Sequence, residues 1–295
     1  MMSPTYELVT HADGWRTVEP KPSAEALKAF YAGEYYQQSH ATYTPDYDPN
    51  ERAHRDLLAR LLLLAVETAR GAGGGRLLEV GCGEGWLLAA AKRAGYDPHG
   101  LDFSDAGLRR HNPELLGAAT FGDAFEGLEE LIAADEAFDV VAMEHVLEHV
   151  LDPEGLLKRL PRVLAPGGVV AITVPNDYSP LQLAARASGA IDRDFWLAPP
   201  QHLNYFDARS LTALLERLNF EVCLAYASFP IDWFLFHPGS NYVADSAAGK
   251  PAHRARMAIE LTIAAQGMQA WLRLGEALFS CGTGRSLTVI ARPTP

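Results

Sequence analysis

The sequence predicts an α/β fold, a mostly parallel sheet with helices on both faces, and three observations carry that prediction. From Arg76 onward, short apolar runs alternate with stretches of helical spacing. The connections between runs are long enough for the crossover helices that parallel strands require. The first run, RLLEVGC, opens into a glycine-rich turn (Gly81, Gly83, Gly85) and then a helical stretch. In such sheets ligands sit at the carboxyl ends of the strands, near the switch in strand order.

Residues 1–70 read as an N-terminal helical and lid segment, with helical spacing over 23–38 and 51–70 around the Tyr/Pro-rich HATYTPDYDPN. The tyrosines from Tyr31 to Tyr47, Tyr43 among them, suit a lid that excludes water. The run GAGGG at 71–75 marks the boundary to a core of residues 71–228 and 286–295. RLLEVGC is its first strand, and WLLAAAKRAG is a helix ended by Gly95. DPHGLDFS, AATFGDA and FDVVAME carry the second to fourth strands. A helix over 153–164 has Pro153 in its first turn, and GGVVAITVPN is the fifth strand. DARSLTALLERLN is a helix, and FEVCLAYAS and SLTVIAR are the remaining strands. Between them, residues 229–285 form an insertion assigned to acceptor binding or dimerisation, with a long amphipathic helix over 252–280 that either covers the sheet or forms a homodimer.

Composition excludes several function classes. The 295 residues carry a net charge of −12, and no Lys/Arg run exceeds a pair, which argues against nucleic acid as partner. Cys82, Cys223 and Cys281 lie far apart without C-x-x-C spacing, against a disulfide framework or a cysteine zinc site. The N-terminus lacks the apolar region of a secretory signal. The run LLARLLLLAV is too short to span a bilayer, so the expectation is a cytoplasmic protein without membrane contact.

The chemistry concentrates at strand ends. Glycines let the loop turn sharply and approach a ligand closely, with helix N-terminal amides nearby. The dinucleotide fingerprint needs glycine where this chain has Trp86, which disfavours a dehydrogenase. Asp102 ends the second strand about 20 residues beyond the loop, where a carboxylate accepts from both hydroxyls of a ribose. Asp123 ends the third strand, placed for an adenine amino group or, equally, for capping a helix.

With these features the sequence resembles the class I S-adenosylmethionine-dependent methyltransferases. LLEVGCGEGWLL is similar to their first motif, GLDFS to the acidic end of their second strand, and FGDAFE to their adenine loop. FDVVAMEHVLEHVLDPEGLLKRLPRVLAPGGVVAITVPN resembles the fourth-to-fifth-strand passage of the ubiquinone-biosynthesis-type and natural-product O-methyltransferase branch. The resemblance implies a Rossmann-like, seven-stranded sheet with an antiparallel last strand and the insertion just before it. It implies S-adenosylmethionine as cofactor and S-adenosylhomocysteine as product. Glu79, Gly81, Cys82, Gly83 and Glu144 would then surround the methionine part, Asp102 the ribose, and Phe103, Asp123 and Ala124 the adenine.

The string His145-Val-Leu-Glu148-His149 has the H-x-x-E-H spacing of inverted zinc peptidases. Those present both histidines on one helix, whereas here the string starts at a strand end, so a zinc site is not expected. Some ubiquinone-pathway relatives hold magnesium with a Glu and a Glu-His pair at this place. His145 stands where the first of those glutamates would align, which argues against magnesium, and no metal is expected. Acid–base chemistry is the more informative reading, because imidazole titrates near neutral pH. In related natural-product enzymes a histidine at the position of His149 takes the acceptor's proton, so His149 is one candidate base and His145 the other. Alignment of donor and acceptor alone is the alternative. His202 and Tyr205, in PPQHLNYF, and Asn241 and Tyr242, in the insertion, are candidate acceptor contacts, along with Tyr43, His253 and Arg254. An arginine there would fit an acidic acceptor.

The sequence therefore predicts methyl transfer to a small-molecule hydroxyl, in secondary or sugar metabolism. N-methylation and tRNA-base modification are the rival reactions, and a non-catalytic adenosine-binding scaffold is the rival of another class.

Overall fold

The computed structural model describes residues 6–30 and 46–294. Two short strands, β1 (Glu7–Thr10) and β2 (Arg16–Glu19), and a helix, α1 (Ala24–Phe30), precede α2 (Pro49–Arg70). The core runs β3 (Gly75–Val80), α3 (Trp86–Arg93), β4 (Tyr96–Asp102), α4 (Ala106–His111), β5 (Ala119–Phe121), α5 (Ala124–Ala133) and β6 (Phe138–Glu144). It continues α6 (Pro153–Leu157), β7 (Leu164–Pro175), α7 (Pro180–Ala187), β8 (Asn204–Tyr205), α8 (Ala208–Arg217) and β9 (Phe220–Ala227). Then come α9 (Gly249–Ala265), α10 (Met268–Ser280) and β10 (Ser286–Pro293).

Seven strands form the main sheet in the order β5-β4-β3-β6-β7-β10-β9. Pairing is parallel from β5 to β7, and β10 runs antiparallel to both its neighbours. The order turns back between β3 and β6, so the loop after β3 occupies the switch point where α/β sheets bind ligands. The central strands are apolar along their length because both faces are covered. Leu78, Val141 and Ile172 face Leu128, Leu156, Leu211 and Leu214 on one side. Leu77, Val140 and Ala171 face Leu62, Val66, Leu88 and Trp271 on the other. Helix α2 starts sharply because Asp48 and Glu51 form a capping box behind Pro49, and it stops where Gly71 takes a left-handed conformation.

Three expectations change. The N-terminal segment is not helical throughout: β1 and β2 form a hairpin around Asp13-Gly14, and β2 pairs with β8 to make a second, three-stranded sheet. An Asp-Gly pair between short β-prone runs is a hairpin signal. The helix expected over 153–164 ends at Leu157 and resumes as a 3-10 turn at Leu160–Val163, since Pro161 disfavours the α conformation at the residue before it. The helix expected over 252–280 is two helices, broken where Gly267 takes φ of +141°. Met257, Trp271, Leu272 and Leu278 of these helices are buried within the chain. No helix among the described residues is long and apolar enough to cross a membrane.

Candidate active site

Two groups of residues meet above the carboxyl ends of β3, β4 and β6. The first is built on the glycine loop. The Leu101 carbonyl accepts from the N–H groups of Gly81 (2.7 Å) and Cys82 (3.1 Å), which folds the loop back over β4. Gly81, Gly83 and Gly85 take φ of +79°, +49° and +77°. A Cβ on Gly81 would lie 2.3 Å from Val146 Cγ2, whereas a Cβ on Gly83 would meet nothing within 4 Å. The loop is thus locked on one side and open on the other. Trp86, which breaks the dinucleotide fingerprint, donates from Nε1 to Glu84 Oε2 at 2.6 Å. Tyr47, at the end of the tyrosine-rich segment, donates to Glu84 Oε1 at 2.7 Å. Tyr43 lies outside the described residues.

Carboxylates converge beside this loop. Asp102, buried at the end of β4, accepts from Gly83 N–H on Oδ2 (2.7 Å) and from Ser104 N–H on Oδ1 (3.0 Å). Glu79 is 4% exposed, and its Oε2 has no hydrogen-bond partner among the described residues. Burial, and then the charges of Glu144 and Asp102, push its pKa well above the ordinary carboxylate range. Burial also raises Glu144, which ends β6. Repulsion among three enclosed carboxyls is relieved by a cationic ligand, and S-adenosylmethionine carries a sulfonium and an ammonium group. The residues fit that cofactor. Phe103 follows Asp102, half-buried. Asp123 is exposed and caps α5, accepting from the N–H groups of Phe125 (2.9 Å) and Glu126 (3.2 Å), with Ala124 the first helical residue. Burial pushes the Cys82 thiol far up, so it is no nucleophile.

The second group is the turn after β6. His145 takes φ of +56°, and its N–H donates to the Thr173 carbonyl at 2.9 Å. The string from His145 to His149 is a turn and not a helix. The start of β8 holds it: Leu203 and Asn204 N–H groups donate to the Glu148 carbonyl (2.7 and 3.0 Å). Asn204 Nδ2 donates to the carbonyls of Leu147 (2.9 Å) and Val150 (2.8 Å), and Thr17 of the N-terminal hairpin donates to Asn204 Oδ1 at 3.1 Å. The hairpin that the sequence reading overlooked therefore buttresses the histidine turn.

Glu148 stands at the centre of that turn, 1% exposed. Its Oε1 lies 3.1 Å from His145 Nδ1 and 3.8 Å from His149 Nε2. Burial alone would raise its pKa, but the two histidines outweigh burial and bring it to about 2, so it is ionised at neutral pH. His145 Nδ1–H then donates to the carboxylate, leaving the Nε2 lone pair on a side chain that is 46% exposed. The crowded surroundings disfavour a charged His145, yet Glu148, with help from Glu144, raises its pKa overall. His149 is held differently: Nδ1 faces the Gln201 carbonyl at 2.7 Å and must donate to it. His202 packs edge-on against His149, and burial followed by that neighbour lowers its pKa to about 4. Among the described residues, Glu148, His149 and His202 offer ligand atoms within 4.8 Å of one another.

A methyltransferase-domain family model matches residues 50–225, more than half of the chain. The chain belongs to that family. Membership implies S-adenosylmethionine as methyl donor. A ubiquinone biosynthesis O-methyltransferase of Ralstonia nicotianae is 38% identical over 99 residues, which cover 33% of this chain and 42% of that one. A probable S-adenosylmethionine-dependent methyltransferase of Mycolicibacterium smegmatis is 35% identical over 153 residues, 50% of this chain and 52% of that one. The chain thus spans about half the length, or less, of these curated relatives. Among solved structures, an S-adenosylmethionine-dependent methyltransferase from Archaeoglobus fulgidus matches with a TM-score of 0.51 at 20% identity, covering 80% of this chain and 93% of that one. That likeness supports the fold.

Several of the expected acceptor contacts have their polar groups engaged within the chain. Tyr205 is 1% exposed, and its hydroxyl donates to the His202 carbonyl at 2.8 Å while accepting from Ala198 N–H. Asn241 uses its whole amide on backbone: Nδ2 donates to Ala190 and Leu235 carbonyls, and Oδ1 accepts from Val243 and Ala244 N–H groups. His253 and Arg254 are exposed on α9. Tyr242 donates to Asp232, which also accepts from Gln182 Nε2. Beside them stands Arg285, whose Nη1 donates to the buried Asp177 Oδ1 at 3.1 Å. In the sequence Arg285 is only the last residue of the insertion. Its one local signal is its position immediately before the final strand.

Proposed function

We propose that this protein transfers the methyl group of S-adenosylmethionine to a hydroxyl oxygen of a small-molecule acceptor, with His145 as general base. The observation that carries the reading is the pair His145 Nδ1 and ionised Glu148 Oε1, 3.1 Å apart, beside the glycine loop. Asp102 takes the ribose hydroxyls, and Phe103, Asp123 and Ala124 border the adenine. Glu79, Gly81, Cys82, Gly83 and Glu144 enclose the methionine part. The bound cofactor supplies an electrophilic methyl group on a good leaving group. What remains for the protein is to align the acceptor oxygen and remove its proton. Glu148 fixes the tautomer that points the His145 lone pair outward and stabilises the imidazolium formed. His149, tied to the Gln201 carbonyl, anchors the turn. The O-methyltransferase names of the relatives, together with a base that a neutral amine would not need, favour oxygen over nitrogen.

Turnover assays that follow S-adenosylhomocysteine release test this reading with matched phenols, aliphatic alcohols and amines. Methylation of hydroxyl acceptors is expected. Turnover of amines alone, or of tRNA alone, would overturn it.

A further inference from the structure

Arg285 stands at the carboxyl end of β7, where its carbonyl accepts from Asn176 N–H at 2.9 Å. Its charge acts on His145 and His202 of the catalytic side and on Tyr242 of the insertion. The guanidinium has five N–H donors. One of them, on Nη1, donates to Asp177, and the Phe195 ring lies 5.9 Å away. Among the described residues the Nε–Nη2 edge meets no acceptor, while the side chain keeps 24% exposure. That edge carries two parallel N–H groups, the fork that matches a carboxylate.

Arg285 is held at one corner by Asp177, and its opposite edge is left without a protein acceptor among the described residues. Asp232, the other nearby carboxylate, is engaged by the Tyr242 hydroxyl and the Gln182 amide.

We propose that Arg285 is the specificity residue for an acidic acceptor, binding a carboxylate of the substrate through its Nε–Nη2 edge while Asp177 holds Nη1. This assignment rests on the methyl-transfer reading and adds the substrate class: a hydroxy acid, oriented by its carboxylate so that its hydroxyl reaches His145.

Calorimetry of the full chain, saturated with S-adenosylhomocysteine, compares benzoate with its neutral isostere benzamide. Benzoate is expected to bind about tenfold more tightly, the size of one charge-assisted bidentate contact. The double variant Arg285→Gln/Asp177→Asn, which leaves no unpaired carboxylate, is expected to lose that preference. Arg285→Lys, which keeps the charge and the Asp177 pair but lacks the fork, is expected to lose most of it. Equal binding of acid and amide by the wild type, binding of neither, or a preference that survives the double variant would overturn the proposal. A wild-type chain that fails to bind S-adenosylhomocysteine brings down the methyl-transfer reading first, and this proposal with it. Cofactor binding without acid preference brings down this proposal alone.

Discussion

The two halves of the site are built by different means. On the β3-β4-β5 side, backbone does the shaping: three left-handed glycines, a folded-back loop and carboxylates at successive strand ends, all within residues 79–123. On the β6-β7-β10 side, side chains do it, and they arrive from distant parts of the chain. Thr17 bonds Asn204 across 187 residues, and Arg285 bonds Asp177 across 108. A ligand shared by many enzymes is met by local backbone geometry, whereas a ligand particular to one enzyme is met by side chains that only the fold brings together.

If the halves are separable in this way, substitutions in one should leave the other's property untouched. The largest effect is expected from His145→Ala, which should lower kcat about 10²-fold or more while S-adenosylhomocysteine affinity stays at the wild-type value. An unchanged kcat would return the chemistry to His149 or to alignment alone. Next comes Asp102→Ala, where cofactor affinity should fall roughly 10- to 100-fold as charge-assisted hydrogen bonds are lost. Equal affinity would mean that the strand-end assignment is wrong.

Glu148→Gln should have an intermediate effect, about tenfold on kcat, and its pH profile is the more telling readout. Activity requires neutral His145, whose pKa is raised chiefly by Glu148, so the wild-type rate should climb with pH through a midpoint above the ordinary 6.5. Removing the carboxylate's charge should move that acidic limb to lower pH. A limb that stays in place would show that Glu148 only supports the turn. A chelator should leave the rate unchanged, since Glu148 already accepts from His145; loss of activity restored by a divalent ion would instead make Glu148, His149 and His202 a metal site. The smallest effect is expected far from both halves: Gly267→Ala, at φ of +141°, should cost about 1–2 kcal/mol in urea unfolding with normal kcat.

The same contrast explains what could be read from the residues beforehand. The glycine loop, Asp102 and the alternation of strands and helices were legible because each is a short-range pattern. The hairpin around Asp13-Gly14 has a local signal in that pair, while its role under the histidine turn has none. The break at Gly267 was hidden because one amphipathic pattern continues across it. Tyr205 and Asn241 looked like ligand contacts because polar and aromatic residues in loops serve binding and packing equally well. In the folded chain their polar groups bond backbone, mostly close along the chain, and residue type alone does not announce such bonds. Arg254 drew attention as an arginine in the insertion, yet it is exposed, and Arg285 holds the place at the sheet end.

If the glycine loop and the strand-end carboxylates hold a cationic adenosine derivative, with Trp86 standing where the dinucleotide fingerprint needs glycine, S-adenosylmethionine should bind and NAD should not. Calorimetry of the wild-type chain against S-adenosylmethionine, S-adenosylhomocysteine and NAD tests this most directly. Binding of the first two with no detectable binding of NAD is the predicted result; a preference for NAD, or no binding of any of the three, would contradict it.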